Sequence, residues 1–473
     1  MLAQTAPSHR LHLADLPGPS PIPLLGNMLQ IKRGQFHVSL EKWAQQYGSQ
    51  YQIKMSGQTW LVLSDPNIYS KLLRDRPDSF SRLRNTVRGI EEIVERGVFT
   101  AEGEEWRKQR KLVMRALTPD VIQRFFPQLQ AMTSRLMLRW EKQTQQGLRV
   151  DVLRDLKAFT LDVTLALAFG QDINTLEHAD NSLQHDIEFI FMRMAKRMTN
   201  PIKYWRYLRL PVDHATDAAA SRIAKAIDGF IAASRKILDE QVERRLKPSN
   251  LMEALIVARD EPGSEFDDSH VSGNAMTMVF AGEDTTSNSL AWLIDALAQA
   301  PDCVAEIRRE LDTLDGRVLA DYAQLQQVPQ LDAAIQESLR LRPAAPFMGI
   351  ETTRELVSNE VLLPANTPIV LLLRQAGMQE NIFPQAQRFL PSRWLQGEGQ
   401  EHELSRKLFT FGGGPRLCPG RFLALVEIKM LAAMLIKNFD LQKLPGTAEE
   451  VFAFTMTPSC LPVNLALRDA SKN

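Results

Sequence analysis

The sequence predicts a mainly α-helical protein with small β-sheets, an α+β fold built as a single domain over residues 1–473. Helical periodicity dominates from about residue 100 onward, as at Ile223 and Ile227. Two short runs rich in β-branched and aromatic residues, 50–53 and 59–63, are close enough in sequence to form a hairpin. No repeat and no low-complexity linker divides the chain, so these signals belong to one folded domain.

The elements follow one another in a clear order. Residues 1–15 are expected to form a flexible tail, and the prolines of segment 16–23 exclude helix there. The periodic helix around Ile223 is predicted to continue to Arg245. A long helix is predicted from about Ser269 to Ala300, because Pro301 follows it. The later elements are a helix ending near Leu341, a segment of short strands, a last helix from about Cys418 to Lys437, and a β-rich tail.

Composition excludes several classes of protein. Lys+Arg and Asp+Glu number 56 each, and a net charge of zero argues against bulk nucleic-acid binding. Three cysteines without a CxxC pair do not make a disulfide framework and indicate a reducing compartment. No apolar run reaches the roughly 18 residues that span a bilayer. We therefore expect a cytoplasmic monomer without a transmembrane anchor.

Residues 409–422 read FTFGGGPRLCPGRF and surround Cys418. Glycines interrupt regular structure here, and the predicted helix start would stabilise a thiolate through its free N–H groups and its dipole. Arg416 can pair with a carboxylate. A lone cysteine is more often a buried, inert thiol. The surroundings argue against that interpretation, because Phe411, Gly414, Arg416, Cys418 and Gly420 match a pattern, FxxGxRxCxG, that resembles the heme loop of the cytochrome P450 superfamily.

Three shorter motifs carry weaker signals. Residues 281–286 read AGEDTT inside the long helix, where glycine and threonine are poor helix formers. A threonine can bond to the carbonyl four residues earlier, and a neighbouring acid can relay protons, but a tolerated polar patch is the alternative. Residues 337–340 read ESLR and residues 106–110 read WRKQR. Each places two residues on one helical face, which alone is common.

Together, in this order, the motifs resemble the cytochrome P450 superfamily from about residue 15 to residue 467. The resemblance implies heme b, iron protoporphyrin IX, held between the long oxygen-activating helix and the cysteine-loop helix. Cys418 would be the axial iron ligand. The cofactor-binding residues would be Trp106, Arg110, Ala281, Phe411, Arg416, Cys418 and Gly420.

The resemblance also implies the reaction, the insertion of one oxygen atom of O2 into a C–H bond or C=C bond. Asp284 and Thr285 would deliver protons to bound dioxygen. Glu337, Arg340 and Arg393 would be structural. The substrate would be a hydrophobic small molecule, because the residues implied to face it are apolar: Phe280, Ala281, Phe347, Met348 and Met456.

The electrons would come from a separate acidic partner, a ferredoxin, flavodoxin or reductase, since no fused reductase is expected. Its docking surface would use basic residues near Trp106 and near the cysteine loop: Arg107, Lys108, Lys111, Arg406, Lys407, Arg421 and Lys429.

Two departures from the family pattern stand out. Gly377-Met378-Gln379 replaces a common HRD or NRD, and Glu351 lies where relatives often place a basic propionate ligand, with Arg354 three residues on. The rival functions are a heme-thiolate isomerase, dehydratase or peroxygenase, and a heme-based sensor or carrier. The acid–alcohol pair disfavours both groups, because neither needs a proton relay to dioxygen.

Overall fold

The computed structural model describes residues 11–32, 34–177, 182–200 and 203–469. Within them the chain divides into two compact units. The first, here called the sheet unit, comprises residues up to 88 together with 345–387 and 404–418. The second, the helical unit, comprises residues 89–344, 388–403 and those from 419 onward. Each is assembled from separate stretches of chain, and the prediction of a single domain stays a prediction.

The α-helices are numbered in chain order. The first eight are α1 Phe36–Tyr47, α2 Pro66–Arg74, α3 Arg84–Glu91, α4 Gly103–Ala116, α5 Pro119–Gln145, α6 Val152–Phe169, α7 Ser182–Thr199 and α8 Pro211–Glu240. The others are α9 Glu243–Leu246, α10 Leu251–Asp260, α11 Asp268–Ala298, α12 Pro301–Leu311, α13 Pro329–Leu341, α14 Glu398–Ser405 and α15 Arg421–Asn438.

The strands are numbered in the same way. Those of the sheet unit are β1 Leu11–His12, β2 Gln50–Met55, β3 Gln58–Leu63, β4 Phe80–Arg82, β5 Met348–Thr352, β6 Leu356–Ser358, β7 Val361–Leu363 and β8 Pro368–Leu371. Those of the helical unit are β9 Phe439–Lys443, β10 Glu450–Phe452, β11 Met456–Pro458 and β12 Val463–Leu467. The mainly helical α+β fold class is confirmed.

The sheet unit is organised by a five-stranded sheet in the order β2-β3-β8-β5-β4. The predicted hairpin is present as β2 and β3, with Met55 paired to Gln58. Ser56 and Gly57, which connect them, have φ angles of 50° and 76°. Two positive φ angles characterise the type I′ turn, whose twist matches that of the flanking strands.

Both faces of this sheet are covered, because alternate residues of each strand point to opposite sides. Tyr51, Ile53 and Val62 pack with Leu40 of α1. Their neighbours on the opposite face belong to a second apolar cluster, which includes Leu61, Leu63, Tyr69, Leu72, Leu73, Ile369 and Leu371. This second cluster seats α2, against which the cysteine loop later packs.

The predicted tail comprises residues 1–15, of which residues 1–10 lie outside the described part of the chain. Residues 11–15 differ from the prediction. Leu11 and His12 pair in parallel with Val361 and Leu362, and the Gln52 side chain donates to the Ala14 carbonyl at 2.7 Å. Backbone pairing therefore orders residues whose side chains give no periodic signal.

The helical unit is built around α11, which is buried along most of its 31 residues. A helix with apolar residues on every side belongs in a core. Helix α6 packs directly on it, so closely that a Cβ on Gly282 would lie 2.0 Å from the Thr164 hydroxyl. Among the described residues, no helix combines the length and the apolar character needed to cross a bilayer.

One helix boundary was predicted wrongly. The helix containing Ile223 ends at Glu240, and Arg245 lies in the separate short helix α9. The physical reason is that the arginines of α9 bind acids elsewhere in the unit. Arg244 contacts the buried Glu253 at 2.8 Å, and Arg245 contacts Asp260 at 3.0 Å. A straight continuation of α8 would not bring both arginines to these partners.

The close approach at Gly273 of α11 generates a stability prediction. A Cβ there would lie 2.1 Å from the Arg96 carbonyl oxygen, a backbone atom that cannot rotate away. We expect Gly273→Ala to lower the free energy of unfolding by about 1–3 kcal/mol, the usual effect of overpacking. Urea unfolding followed by circular dichroism measures it.

The matched control is Gly229→Ala in α8, where an added Cβ meets nothing within 4 Å. There the lower backbone entropy of alanine should stabilise the protein by about 0.5–1 kcal/mol. Equal effects of the two substitutions would contradict the packing argument.

Candidate functional site

The loop that carries Cys418 lies in the sheet unit and is closed by its own backbone. The Cys418 N–H donates to the Phe411 carbonyl at 2.9 Å, and the Leu417 N–H donates to the Gly414 carbonyl at 3.1 Å. Gly412 and Gly414 have φ angles of 77° and 67°, a region that glycine enters without strain. The sequence therefore fixes the position of Cys418 relative to Phe411.

Helix α2 packs directly against this loop. A Cβ on Gly414 would lie 2.1 Å from the Leu73 carbonyl oxygen, so only glycine permits this approach. Gly413 lies between Leu73 and Phe409, and Phe409 packs edge-on against Tyr69 with ring centroids 5.0 Å apart. The loop is consequently anchored by packing as well as by hydrogen bonds.

The Cys418 side chain itself is half-buried. The predicted helix start was slightly wrong: α15 begins at Arg421, and Gly420 is its N-cap residue. Cys418 therefore precedes the helix rather than forming its first turn. Arg416 is buried at the end of the 3-10 helix Gly414–Arg416.

A site with one cysteine suits a cofactor in which the metal already has other ligands. Among the described residues there is no group of three or more His, Cys, Asp or Glu side chains that could hold a metal ion. The half-buried thiol of Cys418 on this glycine loop would hold a heme iron through its sulfur. The chemistry of the site therefore fits heme.

In the helical unit, the motif at 281–286 lies in the middle of α11. Ala281 is exposed although its helical neighbours Phe280 and Glu283 are buried. The Thr285 hydroxyl donates to the Ala281 carbonyl at 2.9 Å, the bond expected of a mid-helix threonine. The backbone at this point thus presents a small, open side chain beside a hydroxyl.

Asp284 is held by residues that the sequence did not reveal. Its Oδ1 accepts from the Asn288 amide at 3.0 Å, and its Oδ2 accepts from the Thr455 hydroxyl. The Asn288 amide also donates to the Thr455 hydroxyl at 2.8 Å. The contact of Asn288 with Asp284 could have been predicted, because residues four positions apart on a helix lie on the same face. Thr455, far along the chain, carried no such signal.

Phe280 belongs to a chain of phenylalanine rings within the helical unit. Phe280 contacts Phe191 edge-on at 5.1 Å, Phe191 contacts Phe454 at 5.4 Å, and Phe454 contacts Phe99 at 6.2 Å. These four rings, here called the phenylalanine cluster, come from α7, α11 and two loops. Met456 is fully buried, and its carbonyl accepts from the Trp292 indole at 2.9 Å.

The other two predicted substrate-facing residues lie in the sheet unit and have partners there. Phe347 packs against Phe36 with ring centroids 5.0 Å apart. The Met348 sulfur accepts from the Arg76 guanidinium at 3.1 Å.

Glu337, Arg340 and Arg393 are brought together in the helical unit. Glu337 and Arg340 have fully buried side chains 2.7 Å apart, and Arg393 donates to Glu337 at 3.0 Å. The Trp394 indole and the Leu390 N–H also donate to Glu337, each at 2.9 Å. Burial alone would raise the pKa of Glu337, but the hydrogen bond and charge of Arg340 with these other donors hold it below its usual value.

The remaining predicted cofactor residues and the family departures are placed as follows. On α4, Trp106 is buried and Arg110 is half-buried, one turn apart. In the sheet unit, Glu351 forms an ion pair with Arg84 at 2.7 Å, and Arg354 donates to the Ser79 hydroxyl at 3.3 Å. Neither Glu351 nor Arg354 is thereby assigned to a propionate.

Comparison with known families identifies the class of protein. A family model described as Cytochrome P450 matches residues 16–464. The chain therefore belongs to the cytochrome P450 family, whose members bind heme b and act as oxidoreductases. The predicted family, enzyme class and cofactor are confirmed.

Individual relatives are similar at modest identity. The chain is 27% identical over 431 residues to a self-sufficient cytochrome P450 monooxygenase of Aspergillus niger, covering 90% of this chain and 39% of that protein. It is 24% identical over 437 residues to cytochrome P450 3A29 of Sus scrofa, covering 90% and 85%. It is 26% identical over 447 residues to a bifunctional cytochrome P450/NADPH–P450 reductase of Aspergillus oryzae, covering 90% and 39%. The chain thus spans about two-fifths of the length of its self-sufficient relatives.

The buried network of Glu337 generates a second prediction. Glu337→Gln leaves two buried guanidinium groups without their carboxylate, which typically costs about 3–5 kcal/mol of stability. Because the folded-state pKa of Glu337 is lowered, its stabilisation is present above the unfolded pKa and is lost as pH falls through the folded pKa. Urea unfolding of both proteins across acidic pH should show a steeper loss for the wild type.

The control is Glu104→Gln on α4, since Glu104 pairs with Arg107 but is 75% exposed. Exposed pairs contribute about 0–1 kcal/mol, so this variant should behave like the wild type. An equally mild effect of Glu337→Gln would show that the network does not carry the stability assigned to it.

Proposed function

We propose that this chain is a P450 monooxygenase that inserts one oxygen atom of O2 into a C–H bond or C=C bond of a hydrophobic organic substrate. Cys418 would hold the heme iron through its sulfur. The observation that carries the proposal is the half-buried Cys418 side chain at the end of a loop fixed by Gly412 and Gly414, within the motif that matches the family. Heme with a thiolate ligand supplies cleavage of the O–O bond.

The other cofactor roles are assigned by residue chemistry. Trp106, Arg110 and Arg416 hold the propionates, because indole and guanidinium groups donate to carboxylates. Phe411 and Gly420 flank the cysteine, and Ala281 leaves space on α11. Their assignment rests on the family motif together with the burial and loop geometry described above.

Asp284 and Thr285 would hold and deliver the protons that the reaction of O2 consumes. A hydroxyl that positions water beside a carboxylate is a suitable relay for general acid catalysis. This pair favours a monooxygenase over an isomerase, a peroxygenase or a heme-based sensor. The phenylalanine cluster supports an apolar substrate, because its four rings offer no hydrogen-bond donor or acceptor.

Electrons come from a separate acidic protein that docks on α4. The exposed basic residues proposed for docking on this helix are Arg107, Lys108 and Lys111. Arg107 contacts Glu104, and Lys108 contacts Glu265, so part of their charge is offset. Lys111 has no ion pair within the described ranges. Lys429, expected to extend this surface, binds Asp332 at 2.7 Å and contributes little.

The ligand assignment is tested by absorption spectroscopy. Cys418→His should abolish the red-shifted Soret band of the reduced CO complex, because that band requires a thiolate ligand. A surviving band would refute the assignment.

Cys303→Ser and Cys460→Ser are the controls and should leave the spectrum unchanged. Burial and nearby Glu306 raise the pKa of Cys303 to about 11, so it stays a thiol at neutral pH. Cys460 is exposed at the surface.

Docking on α4 is tested by the rate of first-electron reduction by an acidic ferredoxin at varied ionic strength. Lys111→Glu should slow reduction at low salt more than Lys108→Glu, whose partner Glu265 already offsets its charge. The difference should disappear at high salt, since screening acts over about 8–10 Å.

Lys236→Glu on α8, where Lys236 is 77% exposed, is the matched control. A rate insensitive to salt and to Lys111→Glu would exclude docking on this helix. It would be the result expected if electrons arrive from a fused reductase, as in the self-sufficient relatives.

A further inference from the structure

The turn that connects β10 and β11 touches two parts of the helical unit at once. Phe454 and Thr455 in the turn, and Met456 at the start of β11, have separate partners. Phe454 belongs to the phenylalanine cluster. The Thr455 hydroxyl donates to Asp284, and the Met456 N–H donates to the Ala344 carbonyl at 2.9 Å. The backbone is therefore fixed at Met456, while the Phe454 side chain contacts the phenylalanine cluster and the Thr455 side chain contacts Asp284.

The hydrogen bonds around Asp284 form a closed set in which every donor is used once. The two N–H groups of the Asn288 amide serve Asp284 at 3.0 Å and the Thr455 hydroxyl at 2.8 Å. The Thr455 hydroxyl, having accepted from Asn288, donates its own hydrogen to Asp284. The Thr457 hydroxyl donates to the Asn288 carbonyl oxygen at 2.9 Å and fixes the orientation of that amide.

The residues that form these hydrogen bonds with Asp284 are buried, so the loss of one bond is costly. Asn288 is 0% exposed and Thr455 is 4% exposed, so water does not replace a lost bond at low cost. Asp284 itself is half-buried, which leaves its carboxylate close to solvent on one side. Both oxygens of this carboxylate are thus oriented by one residue of its own helix and one residue of the turn.

We propose that Thr455 is a positioning residue for the proton-delivering acid Asp284, and that it couples this acid to the turn that contacts the phenylalanine cluster. The inference rests on the proposed role of Asp284. A substrate that packs against Phe454 therefore acts on the residue next to the one that orients the acid. Proton delivery by Asp284 would therefore depend on how the phenylalanine cluster packs around Phe454.

The experiment uses the full chain loaded with heme. Thr455→Val removes the hydroxyl while keeping the shape, and Thr455→Ser restores it. Asp284→Asn identifies the carboxylate band of Asp284 in an infrared difference spectrum of the resting ferric protein. We expect that band to shift in Thr455→Val and to keep its wild-type position in Thr455→Ser. This readout does not depend on turnover.

Turnover provides the second readout. In Thr455→Val, the ratio of product formed to electrons consumed should fall, on the order of tenfold, the size expected for loss of one hydrogen bond to a charged group. The solvent deuterium isotope effect should rise, because proton delivery becomes slower. Substrate affinity, measured from the heme spin-state change, should stay close to that of the wild type, since Phe454, the residue of the turn that contacts the phenylalanine cluster, is unchanged.

Ser459→Ala is the control. It removes a hydroxyl that follows β11 and accepts from the Glu449 N–H at 3.0 Å, outside the hydrogen bonds around Asp284, so the infrared band should not move. If Thr455→Val lowers stability too far, Thr455→Ala removes the same hydroxyl and gives the same infrared test.

The outcomes separate two failures. If Asp284→Asn leaves coupling and the isotope effect unchanged, Asp284 is not the acid, and that part of the proposed function is wrong. If Asp284→Asn alters both while Thr455→Val and Thr455→Ala match the wild type in band position and isotope effect, the positioning role of Thr455 is overturned. A shift in Thr455→Ser as large as that in Thr455→Val would also overturn it.

Discussion

The constraint on which the helical unit depends is that α11 is buried on nearly every side and still carries polar groups at its centre. Buried polar groups must find hydrogen bonds inside the protein, because an unsatisfied one costs about 1–3 kcal/mol. The carbonyl of Glu283 accepts from two hydroxyls, Thr160 at 2.9 Å and Ser287 at 2.8 Å. One of these donors is in α6, so the packing of α6 on α11 satisfies polar groups as well as burying apolar ones. The close approach at Gly282 is the steric condition for this contact.

The same constraint separates the two acids at the centre of α11. Consecutive residues of a helix point about 100° apart, so Glu283 and Asp284 face different surroundings. Glu283 is fully buried, and burial, followed by the charge of Asp284, raises its pKa well above the usual range. Burial therefore favours the protonated form of Glu283 over its charged form. Asp284 instead meets two hydrogen-bond donors. Glu337, equally buried, stays ionised because two arginines surround it.

Sequence reasoning worked wherever the determinant was local. The β2–β3 hairpin followed from two runs of β-branched and aromatic residues on either side of Ser56-Gly57, and the end of α13 near Leu341 followed from Pro343. The pairing of Glu337 with Arg340 followed from helical spacing. The ordering of Leu11 and the early end of α8 could not be predicted, because both depend on partners distant in sequence. Thr455 was missed for the same reason: it lies 171 residues from Asp284 along the chain.

A remote partner for Asp284 has a physical cause. Within a helix, the backbone donors are committed to carbonyls four residues earlier, and a side chain reaches neighbours mainly three or four positions away. Asn288 meets this condition and serves one carboxylate oxygen. The second oxygen needs a donor from outside α11, and the β10–β11 turn supplies it. The geometry of the acid is thus a property of the folded helical unit, set by contacts between α11 and the C-terminal segment.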